Sequence, residues 1–247
     1  MTKSLAIVVA IFALLTLAGC KQDVDTTKLS PYLYDYAPVN IGHSVTYDVD
    51  SIVYNFDPPF QSIDTSYYQI KEVISDTFYD NLGNINYKIS VFKRTDTTQP
   101  FSTTVYQVWS CVVNKSTYQK VENDLRFIKL VFPPINGVTW NGNSYLPAND
   151  TIADVYQPYA SWVYTYTSVN ASANINRLIF DSTIVVSEVN NQNLVNSELS
   201  TATYARHVGL VYKQFELIEK QGIGSPWTAP DSANGFRIKQ WIHSYTP

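Results

Sequence analysis

Thiols are scarce in this 247-residue chain, and one of the two sits where chemistry is expected of it. Cys20, in T-L-A-G-C-K-Q-D (16–23), directly follows an apolar run and directly precedes charge. A thiol so placed can take up diacylglycerol through a thioether once the peptide before it is cut away. Ala18 and Gly19 are small enough to let extended backbone enter a peptidase. Cys111, in V-W-S-C-V-V, has apolar neighbours and reads as a small buried hydrophobe on a strand. With Cys20 acylated, no intrachain disulfide is available to it.

The other reactive side chains form no recognised set. His43, His207 and His243 are far apart, H-E-x-x-H and C-x-x-C do not occur, and neither a metal nor a cofactor is expected. Each histidine is expected on a strand surface or in a turn. There is no G-x-S-x-G elbow, so no catalytic residue is assigned. G-I-G-S-P (222–226) lacks a third glycine and a following helix, and reads as a loop instead of a phosphate cradle. Asp48 and Asp50 share a strand face and could hold Ca²⁺, although i, i+2 carboxylates ordinarily face water. Aromatic side chains are abundant: 5 Trp, 19 Tyr and 11 Phe. Trp140, in T-W-N-G-N, and Trp227, in S-P-W-T-A-P, lie in turn-like settings and are the candidates for stacking on sugar rings. Trp109 and Trp162 fall within alternating strands and read as core.

The segment that positions Cys20 is a secretory leader over residues 1–19. Lys3 supplies positive charge, Leu5 to Leu17 is uncharged and mostly apolar, and small residues follow. That run is too short to span a bilayer, which takes about 20 residues. Leu17-Ala18-Gly19-Cys20 resembles a bacterial lipobox, where signal peptidase II cuts and the new N-terminal cysteine is acylated. Several acyl chains, at ~0.8 kcal/mol per buried CH₂, make such an anchor effectively permanent. Residues 20–31 are polar and aperiodic, a tether with a reach of roughly 15–20 Å. Residues 32–247 are expected to form a single β-rich domain. Loss of Lys3 with the leader takes the net charge from −4 to −5. A mildly acidic chain with only five arginines is not expected to bind nucleic acid.

Strand signals dominate that domain. Val45, Tyr47 and Val49 alternate, then the phase flips to Ile52, Tyr54 and Phe56, which predicts a bulge near Asp50-Ser51 and a stop at Asp57-Pro58-Pro59. Residues 67–79 and 85–94 read as a hairpin about the D-N-L-G-N turn. Further strands are expected over 102–114, 117–132, 160–169, 177–188, 203–219 and 235–245. No segment carries a sustained helical stripe. The expected fold is all-β, a half-open or closed antiparallel barrel with a sandwich as the alternative. Pro38 and Gly42 before one strand, and Pro133, Pro134 and Gly137 before another, hint at a duplicated unit.

P-V-N-I-G-H-S-V-T-Y-D-V-D-S-I-V-Y (38–54), L-R-F-I-K-L-V-F-P-P-I-N-G-V-T-W-N-G-N (125–143) and Y-A-R-H-V-G-L-V-Y-K (204–213) together resemble blocks of a group of uncharacterised Bacteroidetes outer-membrane lipoproteins. The chain departs at Ser44-Val45, where that group commonly has an aromatic. The resemblance implies an outer-membrane or surface location and no activity. Asp followed by Ser or Thr, at 25, 50, 64, 76, 96, 150, 181 and 231, resembles the O-glycosylation acceptor of such envelopes and equally forms Asx turns. The reading is a cell-envelope lipoprotein, a non-enzymatic binding or assembly module. Its expected partners are the membrane, through the lipid on Cys20, and a glycan or envelope protein. The alternatives are a carrier for an apolar ligand such as a lipid, or a hydrolase whose site assembles only in three dimensions.

Overall fold

The computed structural model describes residues 34–146, 159, 161–222 and 224–247. Cys20, the leader, the tether, and the Asp25 and Asp150 sites lie outside them. The described strands belong to a unit spanning Tyr32–Pro247. It is all-β, with no α-helix among the described residues.

Two sets of six strands make up the sheet. The first comprises β1 (Ser44–Asp57), β2 (Phe60–Tyr79), β3 (Ile85–Arg94), β4 (Gln107–Val113), β5 (Thr117–Glu122) and β6 (Leu125–Val131). The second comprises β7 (Thr139–Trp140), β8 (Tyr164–Ile175), β9 (Leu178–Gln192), β10 (Asn196–Ala205), β11 (Gly209–Lys220) and β12 (Ala233–Thr246). Each set opens after a glycine that needs positive φ, Gly42 (φ 93°) and Gly137 (φ 82°). Strands pair antiparallel with their sequence neighbours, and β1 also pairs with β12, leaving β6 and β7 as the two ends of one twelve-stranded sheet.

Those ends meet, and the result is a nearly closed barrel. The seam is stitched by loop backbone and side chains instead of a ladder. Ile128 N–H donates to the Gly142 carbonyl (2.8 Å) and Trp140 Nε1 donates to the Ile128 carbonyl (2.9 Å). The Tyr166 hydroxyl accepts from Val131 N–H (3.0 Å) and donates to its carbonyl (2.7 Å). Closure removes the exposed edge on which other strands would pair. A core of Tyr36, Leu130, Trp162, Tyr164, Tyr166 and Ile184 packs behind the seam. Each fully buried side chain of this size contributes about 1.5–3 kcal/mol.

Three sequence expectations change. No bulge occurs at Asp50-Ser51: β1 stays in register with β2 from Ser44↔Val73 to Asp57↔Phe60. The hydrophobic phase flips because the covering partner changes sides. Val45, Tyr47 and Val49 pack with Ala205, Val211 and Ile242. Tyr54 is buried on the opposite face, against Ile218, Ala233 and Trp227. The stop at Asp57-Pro58-Pro59 holds, but it is a hairpin turn, and the strand expected over 67–79 already starts at Phe60. The predicted strand 203–219 is two strands, β10 and β11, turning through His207 (φ 64°) and Gly209 (φ 89°). Most of β10 escaped notice because Ser197 and Ser200 fill buried positions, held by hydrogen bonds to Glu216 and Glu188.

Candidate functional site

Small barrels normally fill their lumen with apolar side chains. This one carries a chain of six charges across it, alternating in sign: Glu72, Lys120, Glu122, Lys129, Glu188 and Lys213. Lys120 Nζ lies 2.8 Å from Glu72 Oε2 and 2.9 Å from Glu122 Oε1. Lys129 Nζ lies 3.7 Å from Glu122 Oε2 and 3.4 Å from Glu188 Oε1, and Lys213 Nζ 4.0 Å from Glu188 Oε2. Ser200 Oγ donates to Glu188 Oε2 at 2.6 Å. The six come from five strands, so only the closed barrel assembles them.

Local backbone explains two of the placements. Tyr118 pairs with Leu130 and Gln119 with Ile128, which leaves Lys129 as the extra residue of a bulge. Ser200 pairs with Val189 and Thr201 with Ser187, which leaves Glu188 in the same position on β9. A bulge re-aims the extra side chain relative to the alternation of its strand.

Electrostatics divide the six. Burial works against a charge on Lys120, yet the Glu72 and Glu122 carboxylates outweigh it and hold the ammonium above the ordinary lysine range. Burial also opposes ionisation of Glu122, and Lys120 and Lys129 overcome it, holding the carboxyl well below its usual range. Glu188 is lowered in the same way, against burial, by Lys129, Lys213 and the Ser200 hydroxyl. Lys129 is lowered, because burial exceeds the pull of Glu188. Its two ion pairs are looser than those of Lys120, and the single pair of Lys213 is looser still. Replacing buried ion pairs by apolar residues is often neutral or stabilising by about 1–4 kcal/mol. Stability alone therefore gives no reason for a chain of six.

The lumen widens above this floor. Toward the β5–β6 turn it forms a cavity of about 390 Å³ that reaches exposed Asn123. A collar of edge-on rings runs along its wall. Phe236 and Phe215 lie 5.0 Å apart, Phe215 and Trp162 5.7 Å, Trp162 and Tyr159 4.9 Å, and Tyr159 and Phe127 5.6 Å. Lys129, Lys213, Ser200 and the carboxylates Glu72, Glu122 and Glu188 face the same cavity. Trp109 also lines it, with Lys120 Nζ 4.6 Å from its ring centroid. The opposite end is stopped by Tyr36, Ala37 and Pro38, leaving a space of about 50 Å³ beside His43. The arrangement offers an aromatic sleeve leading to two partly committed ammonium groups set among three carboxylates. That suits capture of a small molecule with an apolar body and an anionic head.

The residues singled out from the sequence fall elsewhere. Trp140 is half-buried in the seam, its indole N–H spent on Ile128 and its ring 4.7 Å from Tyr166. Trp227 is half-buried over the outer face, with Lys220 Nζ 4.2 Å from its ring and its carbonyl accepting from Arg237. Trp162, read as core, is buried in it, and Trp109 is half-buried against the Cys111 cluster; both also line the lumen cavity. Cys111 is buried among Ile74, Ile89 and Val91. His43 is buried rather than at the surface, its Nε2 3.0 Å from the Val208 carbonyl oxygen. Asp48 is buried beneath Tyr67, Gln69, Asn176 and His243, whereas Asp50 is exposed, so the two do not act together. Asp96 accepts from the Thr98 backbone and hydroxyl as an Asx turn does. Among the described residues, no histidine hydrogen-bonds a serine. The six lumen charges went unread because a lysine or glutamate on a strand ordinarily marks its wet face. A signal was present: Lys120 and Glu122 share the phase of Tyr118, which packs against the core.

No protein-family model matches the chain, and no curated protein matches it either. Among solved structures, a candidate exported protein with a YmcC-like fold from Bacteroides fragilis is similar over 85% of this chain and 98% of its own, at 8% identity and a TM-score of 0.38.

Proposed function

We propose that this chain is a cell-envelope lipoprotein, held to the outer membrane through Cys20, whose barrel is a binding module for a small acidic amphiphile. The observation that carries the binding reading is the aromatic-walled cavity of about 390 Å³ with Lys129 and Lys213 at its floor. That volume lies within the ~300–1,000 Å³ usual for small-molecule sites. A wholly apolar lipid would set hydrocarbon against ionised groups, which is costly. A carboxylate or phosphate head is offered both ammonium groups. The lipobox-like L-A-G-C supports the anchor.

The test is purification of the full-length protein from native membranes in a neutral detergent, followed by native mass spectrometry and analysis of the extract. A bound acidic amphiphile in the wild type, reduced in Lys213→Ala, is the expected result. Protein that carries nothing, and binds no acidic amphiphile offered to it, overturns the reading. Palmitate labelling of wild type against Cys20→Ala checks the anchor separately.

A further inference from the structure

A second hollow lies on the outer wall of the barrel. Its volume is about 650 Å³, and it sits between that wall and an arch formed by the far end of the β8–β9 hairpin. Pairing along this hairpin shifts register three times, and each shift adds twist. The twisted end comes back to the wall: Asn176 Nδ2 donates to Asp48 Oδ2 (3.1 Å) and to the Ile242 carbonyl (2.8 Å). Asp48 is itself fixed by the Tyr67 hydroxyl and Gln69 Nε2, both at 2.7 Å, and by His243 Nδ1 at 3.1 Å. The arch is thus rooted in the barrel at one end and tied to β1 and β12 at the other.

Two aromatic residues lie on the wall of this groove. Tyr212 and Trp241 are direct partners across β11 and β12, on the same face as Asp48, which pairs with Trp241 from β1. Thr203 extends the wall along β10, and the arch contributes the small residues Ala171, Ser172 and Ala173. Among the described residues, no charged side chain lines the groove.

We propose that this groove binds a neutral sugar chain. A sugar ring presents one apolar C–H face and a rim of hydroxyls. It therefore suits aromatic residues flanked by uncharged serine, threonine and asparagine, with small opposing residues that admit the ring. Other occupants fit less well. The wall strands are hydrogen-bonded on both sides and present no edge for an extended peptide to join. The hydroxyl and amide lining leaves polar groups unsatisfied against an acyl chain. The lack of charge disfavours an acidic ligand, which separates this site from the lumen. Trp241, not Trp140 or Trp227, is the tryptophan placed for sugar stacking.

The test uses the full-length protein in a polyoxyethylene detergent, which carries no sugar headgroup. Neutral hexasaccharides of glucose, mannose and N-acetylglucosamine are titrated by calorimetry. At least one binds, and Trp241→Ala weakens it by about tenfold or more, the scale of one lost aromatic contact. Ala173→Phe, which fills the groove and removes nothing from the wall, weakens it similarly while the melting temperature stays within a few degrees of wild type. Lys213→Ala, in the lumen, leaves sugar binding unchanged. Failure of all three sugars to bind overturns the proposal. So does binding that survives both groove variants, or displacement of the sugar by a fatty acid or a peptide from the same groove.

Discussion

Lys129 and Glu188 are each the extra residue of a β-bulge, on strands that do not pair with one another, and their side chains meet 3.4 Å apart inside the lumen. Two independent departures from regular pairing thus serve one ion pair. Both residues are nearly inaccessible to solvent. Bulges concentrate beside functional sites, where re-aiming a side chain outweighs the lost pairing. The pair lies at the floor of the aromatic-walled cavity, at the depth where a ligand's head would rest.

Removing one member strands the other. Lys129→Met leaves Glu188 with the Ser200 hydroxyl and, for a cation, only the more distant Lys213, and such a break in a buried pair costs about 3–5 kcal/mol. The double variant Lys129→Met, Glu188→Met removes both charges and recovers most of that loss. Chemical denaturation of wild type, both single variants and the double variant forms a cycle that measures the coupling. Additive effects would show that the two charges do not sense each other.

Acid is expected to loosen the lumen. Glu122 and Glu188 are held below the ordinary glutamate range in the folded protein. The unfolded chain binds protons first as pH falls, so their stabilisation is complete above about pH 4.3 and drains away below it. At the alkaline side Lys129, held low, makes stability climb as pH approaches about 10.4, and Lys120, held high, makes it fall beyond. The acid limb is the cleaner measurement. Denaturation midpoints from pH 6 to pH 3 should fall more steeply for wild type than for Glu122→Gln, and parallel curves would refute the assignment.

The sequence makes the barrel readable because alternation reports which face of a strand is dry, and most strands here have one dry face. It misleads where that premise fails. Tyr54 is buried on the outer face, against Ile218, Ala233 and Trp227, and not against the lumen, so its phase flip mimics a bulge. Ser197 and Ser200 are buried by hydrogen bonds, so their strand lacks an apolar signal. The lumen charges reverse the rule outright, and their partners lie 48 residues away for Glu72 with Lys120 and 59 for Lys129 with Glu188. Single-chain periodicity carries no information about pairing at that distance. Turn context points to Trp140 and Trp227, which are half-buried, whereas Trp241 beside the hairpin arch sits inside a strand and carries no such signal.

Cys111 is expected to be chemically silent. Burial pushes its thiol up to about 12, with only partial opposition from Lys120, so almost none is thiolate at neutral pH. In the folded protein it should resist an aromatic disulfide reagent over hours and react stoichiometrically once denatured. Rapid labelling under native conditions would show that the β3–β4 wall opens freely, contrary to its tight packing with Ile89 and Val91.

The mouth of the barrel should discriminate by the sign of a ligand's charge. Anilinonaphthalene sulfonate pairs an aromatic body with an anionic head and is a reporter for the cavity above Lys129 and Lys213. Its fluorescence should rise on binding to the full-length protein in neutral detergent, after subtraction of the detergent blank. Lys213→Ala removes the ammonium with the loosest partner and should weaken binding by about tenfold, the scale of one charge-assisted hydrogen bond. Phe236→Ala shortens the ring collar without touching the charges and should weaken anionic and neutral naphthalene probes alike. A cationic naphthalene of the same size should bind poorly to wild type and gain in Lys213→Ala, where Glu188 loses one of its two cations. Equal affinity for the anionic and cationic probes would mean that the floor is electrostatically closed and that the collar alone does the binding.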